Sequence, residues 1–317
     1  MSIIPNFKGH QLFRPKGELP LFKFARVCFV VSMGAVLVSL ILFATVGLNY
    51  GVDFKGGSMI EVQAKSGKAD IAQLRGSIGG LGLGDVQIQA FGTDRDVLIR
   101  IEQQSGGEKA QQAALGKVLE AIGDKYTQRR AEVVGPAVSG ELRTTGLIAV
   151  LCSIIAIILY VWFRFEWQFA IGAVVALTHD VMITVGVFSL LQLEFDLSTV
   201  AALLTILGYS VNDTVVVSDR IRENLRKFKK LEISALLNRS INETLSRTLM
   251  TSLTTLVVLA ALYVLGGEVI RNFTFAMMFG VLIGTYSSIF IAAPLLAFLG
   301  VKRDWSGVTR GAPASAS

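Results

Sequence analysis

This chain has little charge. Asp, Glu, Lys and Arg make up 17% of its 317 residues and hydrophobic residues 52%, whereas a soluble domain averages about 25% charged. That deficit leaves long stretches with nothing to hold them in water, and it argues against a soluble globular protein. The two cysteines, Cys28 and Cys152, sit in separate apolar runs. They provide neither a metal-ligand spacing nor a disulfide framework, and they read as small hydrophobes in helix packing. No Ser/His/Asp set, metal-ligand cluster or HExxH motif occurs, so nothing points to a hydrolase or any other enzyme, and no cofactor is expected. The glycine-rich turn Gly51–Ser58 lacks the Gly-x-x-x-x-Gly-Lys-[Ser/Thr] spacing of a phosphate loop. Low complexity is confined to the small-residue tail Gly311–Ser317.

The apolar residues gather into runs of about the 20 residues a membrane span requires. Spans are predicted over 27–48, 144–163, 167–193, 197–218, 248–266 and 272–301. The first follows a polar segment of over twenty residues and is too long for a signal-peptide core, so it reads as a retained span. The formal charge of +6 is unevenly distributed. Segment 1–26 carries Lys8, Arg14, Lys16, Lys23 and Arg26. The loop 219–247 carries Arg220, Arg222, Arg226, Lys227, Lys229, Lys230 and Arg239, and the tail 302–317 carries Lys302, Arg303 and Arg310. The opposite short loops hold Glu194 and Asp196, then Glu268 and Arg271. The positive-inside rule places both termini and loop 219–247 in the cytoplasm. The excess charge is thereby a topology signal, and no nucleic-acid partner is expected.

Segment 49–143 is polar and falls on the trans side. Alternating runs at Met59–Ala64, Val86–Ala90 and Val97–Ile101, a last strand over Arg130–Val134, and helical patterns at Asp70–Ile78 and Glu108–Ile122 give the order strand, helix, strand, strand, helix, strand. A turn is expected over Gly92–Asp96. This is the ferredoxin-like split βαβ unit. The predicted fold class is a polytopic α-helical membrane protein of six spans with an inserted α+β ferredoxin-like domain.

Ionisable residues within a span are expensive and usually face the bundle interior. Asp180 is central in the third span beside His179, and either can carry or share a proton; the alternative is a buried structural pair bonded to Thr184 or a neighbouring helix. Asp213 lies near the cytoplasmic end of the fourth span. Beside it, Ser198, Ala201, Thr205, Gly208 and Asn212 recur at spacings of three and four, a small polar stripe that admits a close neighbouring helix. Arg247 opens the fifth span and is within reach as a counter-ion for Asp213. In the sixth span Ala276, Gly280, Gly284, Ser288 and Ala292 form a small-xxx-small face that predicts a tightly apposed partner helix.

Together these motifs are specific. Gly51-Val52-Asp53-Phe54-Lys55-Gly56-Gly57 resembles the opening signature of the SecD/SecF family of protein-export subunits, within the resistance-nodulation-division superfamily. Thr178-His179-Asp180, the run Gly208–Asn224, and Ser246–Thr255 resemble the SecF members of that family. The resemblance implies a half of a twelve-helix unit completed by SecD, beside the SecYEG channel with its accessory subunits YajC and YidC, in the bacterial inner membrane. It implies use of the proton gradient to draw an exported polypeptide across at a late stage. It also ranks the candidates: Asp213 and Arg247 as proton-pathway residues, Asp180 and His179 behind them, and Gly51, Asp53, Gly56, Gly57, Asn212, Asp219 and Arg220 as motif residues. The rival functions are half of a proton-driven small-solute antiporter and a structural scaffold for the channel.

Overall fold

The computed structural model describes residues 18–301. The expected terminal cations Lys8, Arg14, Lys16, Lys302, Arg303 and Arg310, and the tail 311–317, lie outside the described residues. Six helical stretches are long and apolar enough to cross a membrane. They are α1 (Leu21–Thr45), α5 (Pro136–Arg164), α6 (Trp167–Leu191), α7 (Leu197–Lys227), α8 (Ile233–Leu265) and a last stretch, Arg271–Phe298. That last stretch consists of α9 (Arg271–Ser287), a π-turn (Ser288–Ala292) and α10 (Ala293–Phe298). Pro294 has no N–H with which to bond the carbonyl four residues back, and the ladder widens by a residue just before it.

Four helices outrun their predicted spans by several residues; α1 already starts at Leu21, inside the expected segment 1–26. α5 starts at Pro136, whose fixed φ suits a first helical position, so the expected end of the inserted segment is already helix. The segment 219–247, expected as a loop, is mostly helix. α7 continues to Lys227 and α8 begins at Ile233. The reason is amphipathicity beyond the apolar stretch: Ile221, Leu225, Leu236, Leu237 and Ile241 are buried in one cluster. The outward charges pair along the helices, as Arg239 Nε with Glu243 Oε1 at 3.0 Å and Arg220 Nη1 with Glu223 Oε2 at 2.8 Å, and across them, as Arg220 Nε with Glu243 Oε2 at 3.7 Å.

The bundle packs through small residues, because in lipid close van der Waals approach replaces the hydrophobic drive between helices. The stripe of α9 supplies the predicted apposition, and its partner is α7 of the same chain. A Cβ on Gly280 would stand 2.3 Å from both Cδ1 and Cγ1 of Ile206, and one on Gly284 would stand 3.1 Å from Ser210 Cβ. Likewise a Cβ on Gly186 of α6 would stand 2.1 Å from Ser39 Oγ on α1. α1, α5 and α8 turn large apolar side chains outward, among them Val30, Leu147, Trp162, Val257 and Val264, as lipid-facing helices do.

Between α1 and α5 come β1 (Asn49–Tyr50), α2 (Val52–Lys55), β2 (Gly57–Ala64), α3 (Ile71–Gly79), β3 (Val86–Phe91), β4 (Thr93–Ile101), α4 (Gly107–Ile122) and β5 (Tyr126–Val134). β2 to β5 form an antiparallel sheet in the order β3-β4-β2-β5, which is the ferredoxin-like arrangement. The strands alternate. Ile60, Val62, Ile88, Val97, Ile99 and Ile101 pack with Leu74, Ile78, Val118 and Ile122 of the two helices. Asp70 caps α3 by accepting from Gln73 N at 2.9 Å. The turn expected over Gly92–Asp96 is tighter: β4 already begins at Thr93, because Gly92 takes φ +75° and reverses the chain almost by itself. A second, two-stranded sheet pairs β1 in parallel with β6 (Glu194–Phe195), between α6 and α7.

Candidate functional site

Three polar groupings occupy different levels of the molecule. The first joins the inserted domain to the bundle and contains the glycine motif. Asn49 and Tyr50 lie in register with Glu194 and Phe195, and Gly51 N donates to Phe195 O at 2.9 Å. Asp53 Oδ2 accepts from Leu197 N at 2.9 Å, where a carboxylate also suits the positive end of α7. Arg143 Nη2 donates to Phe54 O at 2.6 Å, tying α2 to α5. Gly56 and Gly57 have φ +73° and +118°, and a Cβ on Gly57 would meet Ile101 O at 2.4 Å. Only glycine lets β2 enter the sheet in this register. Nearby, Arg100 of β4 forms an ion pair with Glu194; their side chains are 12% and 19% exposed. Burial raises the Glu194 carboxyl above its ordinary range; Arg100 opposes this, and Asp196 and Asp53 add to it.

The second grouping lies in the bundle core around Asp180 of α6, which is fully buried. Its Oδ2 accepts from Ser210 of α7 at 2.6 Å and Ser287 of α9 at 2.8 Å. Its Oδ1 lies 2.9 Å from His179 Nδ1. Thr184, expected as a partner, donates to the backbone carbonyl of Asp180 instead of its carboxylate. The His179 ring stacks on Tyr286 with centroids 6.2 Å apart. The Tyr286 hydroxyl in turn reaches α1, donating to Cys28 O at 2.9 Å, with Ser32 Oγ also 2.9 Å away. One carboxylate therefore joins α6, α7 and α9 by polar contacts, and Tyr286 beside it ties α9 to α1.

The third grouping contains Asp213, one turn beyond Ser210 on α7. Asp213 is 2% exposed, and its Oδ2 is buried without a hydrogen-bond partner, as are the hydroxyls of Thr214 and Thr248 beside it in sequence and across on α8. Arg247 is the charge that acts on this carboxylate, yet no direct ion pair joins the two among the described residues. Arg247 is exposed and lines a crevice with Tyr160, Arg164, Asp219, Glu223 and Glu243. The motif residues Asp219 and Arg220 belong to a charge network at this end. Asp219 lies 3.7 Å from Arg164 on α5, and Arg220 reaches Glu223 and Glu243. Asn212 falls elsewhere: with Ala201, Thr205 and Gly208 it faces outward, and nothing lies within 4 Å of a Cβ built on Gly208.

The structure thus brings His179 and Asp180 together, places Arg247 near but not on Asp213, and separates Asn212 from both. Sequence reasoning missed Ser287 and Tyr286, which lie one and two residues before Ser288 of the recognised stripe. It also read Arg100 as an alternating strand residue and Glu194 as a loop charge; nothing in their 94-residue separation announces a pair.

Comparison with known proteins gives this architecture a family. The family described as protein export membrane protein SecD/SecF, C-terminal, matches residues 114–302, and the SecD/SecF GG motif matches residues 41–68. The chain belongs to the SecD/SecF family of protein-export membrane proteins. It is 46% identical to the protein translocase subunit SecF of Cereibacter sphaeroides, covering 91% of each chain, and 44% identical to that of Vibrio alginolyticus, covering 93% and 94%. It also matches the SecDF subunit of Brucella abortus at 43% identity, covering 90% of this chain but 38% of that one. The crystal structure of Thermus thermophilus SecDF superimposes with a TM-score of 0.81 at 38% identity, covering 90% of this chain and 39% of the other. The relatives thus place the chain on the SecF side of the family, as a membrane component of protein export.

Proposed function

We propose that this chain couples the proton gradient to the late stage of polypeptide translocation, as one half of a unit whose other half is SecD. Asp213 is the proton-binding residue, and Arg247 is its charge partner. The observation that carries this reading is the Asp213 carboxylate: buried in the bundle, with one oxygen unbonded and the Arg247 guanidinium held off in a crevice. A proton reaching Asp213 breaks no hydrogen bond at that oxygen, and it removes the charge that draws Arg247 inward. The contact between α7 and α8 then has two arrangements. One charge crossing the membrane supplies about 2.3 kcal/mol per 100 mV, enough to bias such a two-state element substantially. His179 and Asp180 stand behind this pair as secondary candidates, because a proton at Asp180 has to displace its contacts with Ser210, Ser287 or His179.

The uncovered face of α7 supports the SecD partnership. Thr205, Gly208 and Asn212 are small or polar at membrane depth, which suits a close helix contact better than lipid. That relatives exist in which a SecF-like half is joined to further chain, as in the Brucella subunit, supports it independently. In this reading the unit works beside SecYEG, with YajC and YidC, in the bacterial inner membrane. Both termini face the cytoplasm and the inserted domain faces the periplasm, where the exported polypeptide emerges. The test is Asp213→Asn in the assembled complex, with translocation measured with and without a proton gradient. The variant is expected to fold, insert and bind SecD but to lose all gradient-dependent stimulation. Normal stimulation would remove Asp213 from the mechanism.

A further inference from the structure

The glycine motif and the Arg100–Glu194 pair meet at one place, where the inserted domain rests on the bundle. One face of the domain's sheet is covered by α3 and α4; the other overlooks the bundle. Met59, Glu61, Gln89, Arg100, Arg130 and Glu132 of that second face line a cavity of about 540 Å³ shared with Asp53, Glu194, Asp196 and Asn272. On the sheet side Arg130 pairs with its neighbour Glu132, which leaves Arg100 and Glu61. α2 and the bundle side contribute three carboxylates, Asp53, Glu194 and Asp196. Two of them have local work, since Asp53 accepts from Leu197 N and Asp196 Oδ1 accepts from Ser198, Thr199 N and Thr199 Oγ1. Glu194 is left to meet Arg100, which arrives from the sheet. The guanidinium cannot shed its charge and is largely buried there, so separating the pair exposes the domain to the full loss of a desolvated ionic contact.

Gly51 decides whether Glu194 can be in that position. Its backbone is ordinary and extended, with φ −70° and ψ 175°, so alanine would fit the chain itself. A Cβ there would nevertheless stand 2.8 Å from Glu194 Oε1 and 3.3 Å from Asp196 Cβ. The flexible end of Glu194 can move away only by leaving its seat beside Gly51, where it meets Arg100. Strain does not explain this glycine; the path of the Glu194 carboxylate does.

We propose that Gly51, Glu194 and Arg100 form a clamp that fixes the inserted domain on the membrane bundle, and that the first glycine of the motif is there to seat the carboxylate of that clamp. The clamp is the contact any movement of this domain against the bundle must break. It stands apart from the proton role of Asp213, and its readout is a distance, which does not depend on proton coupling.

The test uses the full chain with its partner half in lipid nanodiscs. Cys28 and Cys152 are replaced by alanine, and spin labels are placed at Lys117 on α4 and Leu191 at the end of α6, both exposed. The parent should give one narrow interlabel distance. Glu194→Gln and Gly51→Ala should each add a second, broader population. Gly51→Ala should add nothing more in the Glu194→Gln background, and Arg100→Gln with Glu194→Gln should be no broader than Glu194→Gln alone, since residues acting as one unit are non-additive. Glu194 and Gly51 lie outside the domain core, so neither substitution unfolds the sheet. An unchanged single distance in Glu194→Gln overturns the clamp. So does additive broadening by Gly51→Ala, which would give that glycine a separate role.

Discussion

Gly280→Ala tests the packing on which every site above depends. At Gly280, α9 lies so close to α7 that an added Cβ would stand 2.3 Å from two carbons of Ile206 and 2.8 Å from a third. Carbon atoms rest about 3.5–4.0 Å apart, so something must move by more than an ångström. Ile206 cannot swing clear: it is β-branched, restricted to one main rotamer in a helix, and fully buried. The helices must part, and overpacking of this kind costs about 1–3 kcal/mol. Against that, alanine gains up to about 1 kcal/mol over glycine in helix propensity. Gly208→Ala is the natural control on α7, because nothing lies within 4 Å of its Cβ and only the propensity gain applies. The two substitutions should therefore move stability in opposite directions, separated by about 1–3 kcal/mol. Reversible denaturation of the detergent-solubilised chain measures this. Ile206→Ala in the Gly280→Ala background should be less harmful than the sum of the two single effects. Equal stabilities for Gly280→Ala and Gly208→Ala, or a fully additive double variant, would refute the close α7–α9 contact.

Other consequences can be checked separately. Gly208→Leu should leave the isolated chain as stable as the parent but reduce co-purification of SecD several-fold; undiminished recovery would remove the open face of α7 from the partnership. Asp180→Leu strips the acceptor from His179 on its own helix and from Ser210 and Ser287 on two others, and at about 0.6–1.7 kcal/mol for each of the two interhelical bonds it should lower bundle stability by roughly 1–3 kcal/mol, whereas Thr184→Val should change it little. Parent-like denaturation of Asp180→Leu would contradict the hub. Gly57→Ala forces a Cβ against Ile101 O at a φ that L-residues avoid, so hydrogen exchange in β2 and β4 should accelerate by about fivefold to a hundredfold, from about 1–3 kcal/mol of strain; unchanged protection would show that the strand can shift register.

Much of the fold is legible in the sequence because the two periods that define it are clean. Uncharged runs of span length locate the membrane helices, and alternation at Val97–Ile101 locates a central strand. The errors fall where a second signal overrides the first. Segment 219–247 reads as a loop because it is rich in charge, but its apolar residues keep helical spacing, and the charges pair outward as Arg239–Glu243 does. Gly92 reads as one residue of a five-residue turn because Thr93–Asp96 is polar, yet a single positive φ suffices. The site is less legible than the fold. Asp180 and Asp213 announce themselves by their cost in a span, but the partners of Asp180 on the other helices are serines, and a serine in a membrane helix carries no comparable signal. Arg100 and Glu194 are brought together only by the docking of one folded unit on another.

The two buried carboxylates differ in the property that matters for the proposed proton role, and depth is not that property. Asp180 lies deeper in its span, but both its oxygens are engaged: two hydroxyls on one, an imidazole nitrogen on the other. Adding a proton there means rearranging contacts that hold α6, α7 and α9 together. Asp213 lies one turn from Ser210 along α7 and has an oxygen with no partner, two unpaired threonine hydroxyls nearby, and a guanidinium that acts on it without touching it. In the proposed role a proton comes and goes at Asp213 while the core stays bonded, and the response passes to α8 through Arg247. A carboxylate that fastens helices and a carboxylate that switches them are different devices. Ser210, which Asp180 holds, lies one turn before Asp213 on α7, so the fastening at Asp180 gives the proposed switching contact a fixed frame to move against.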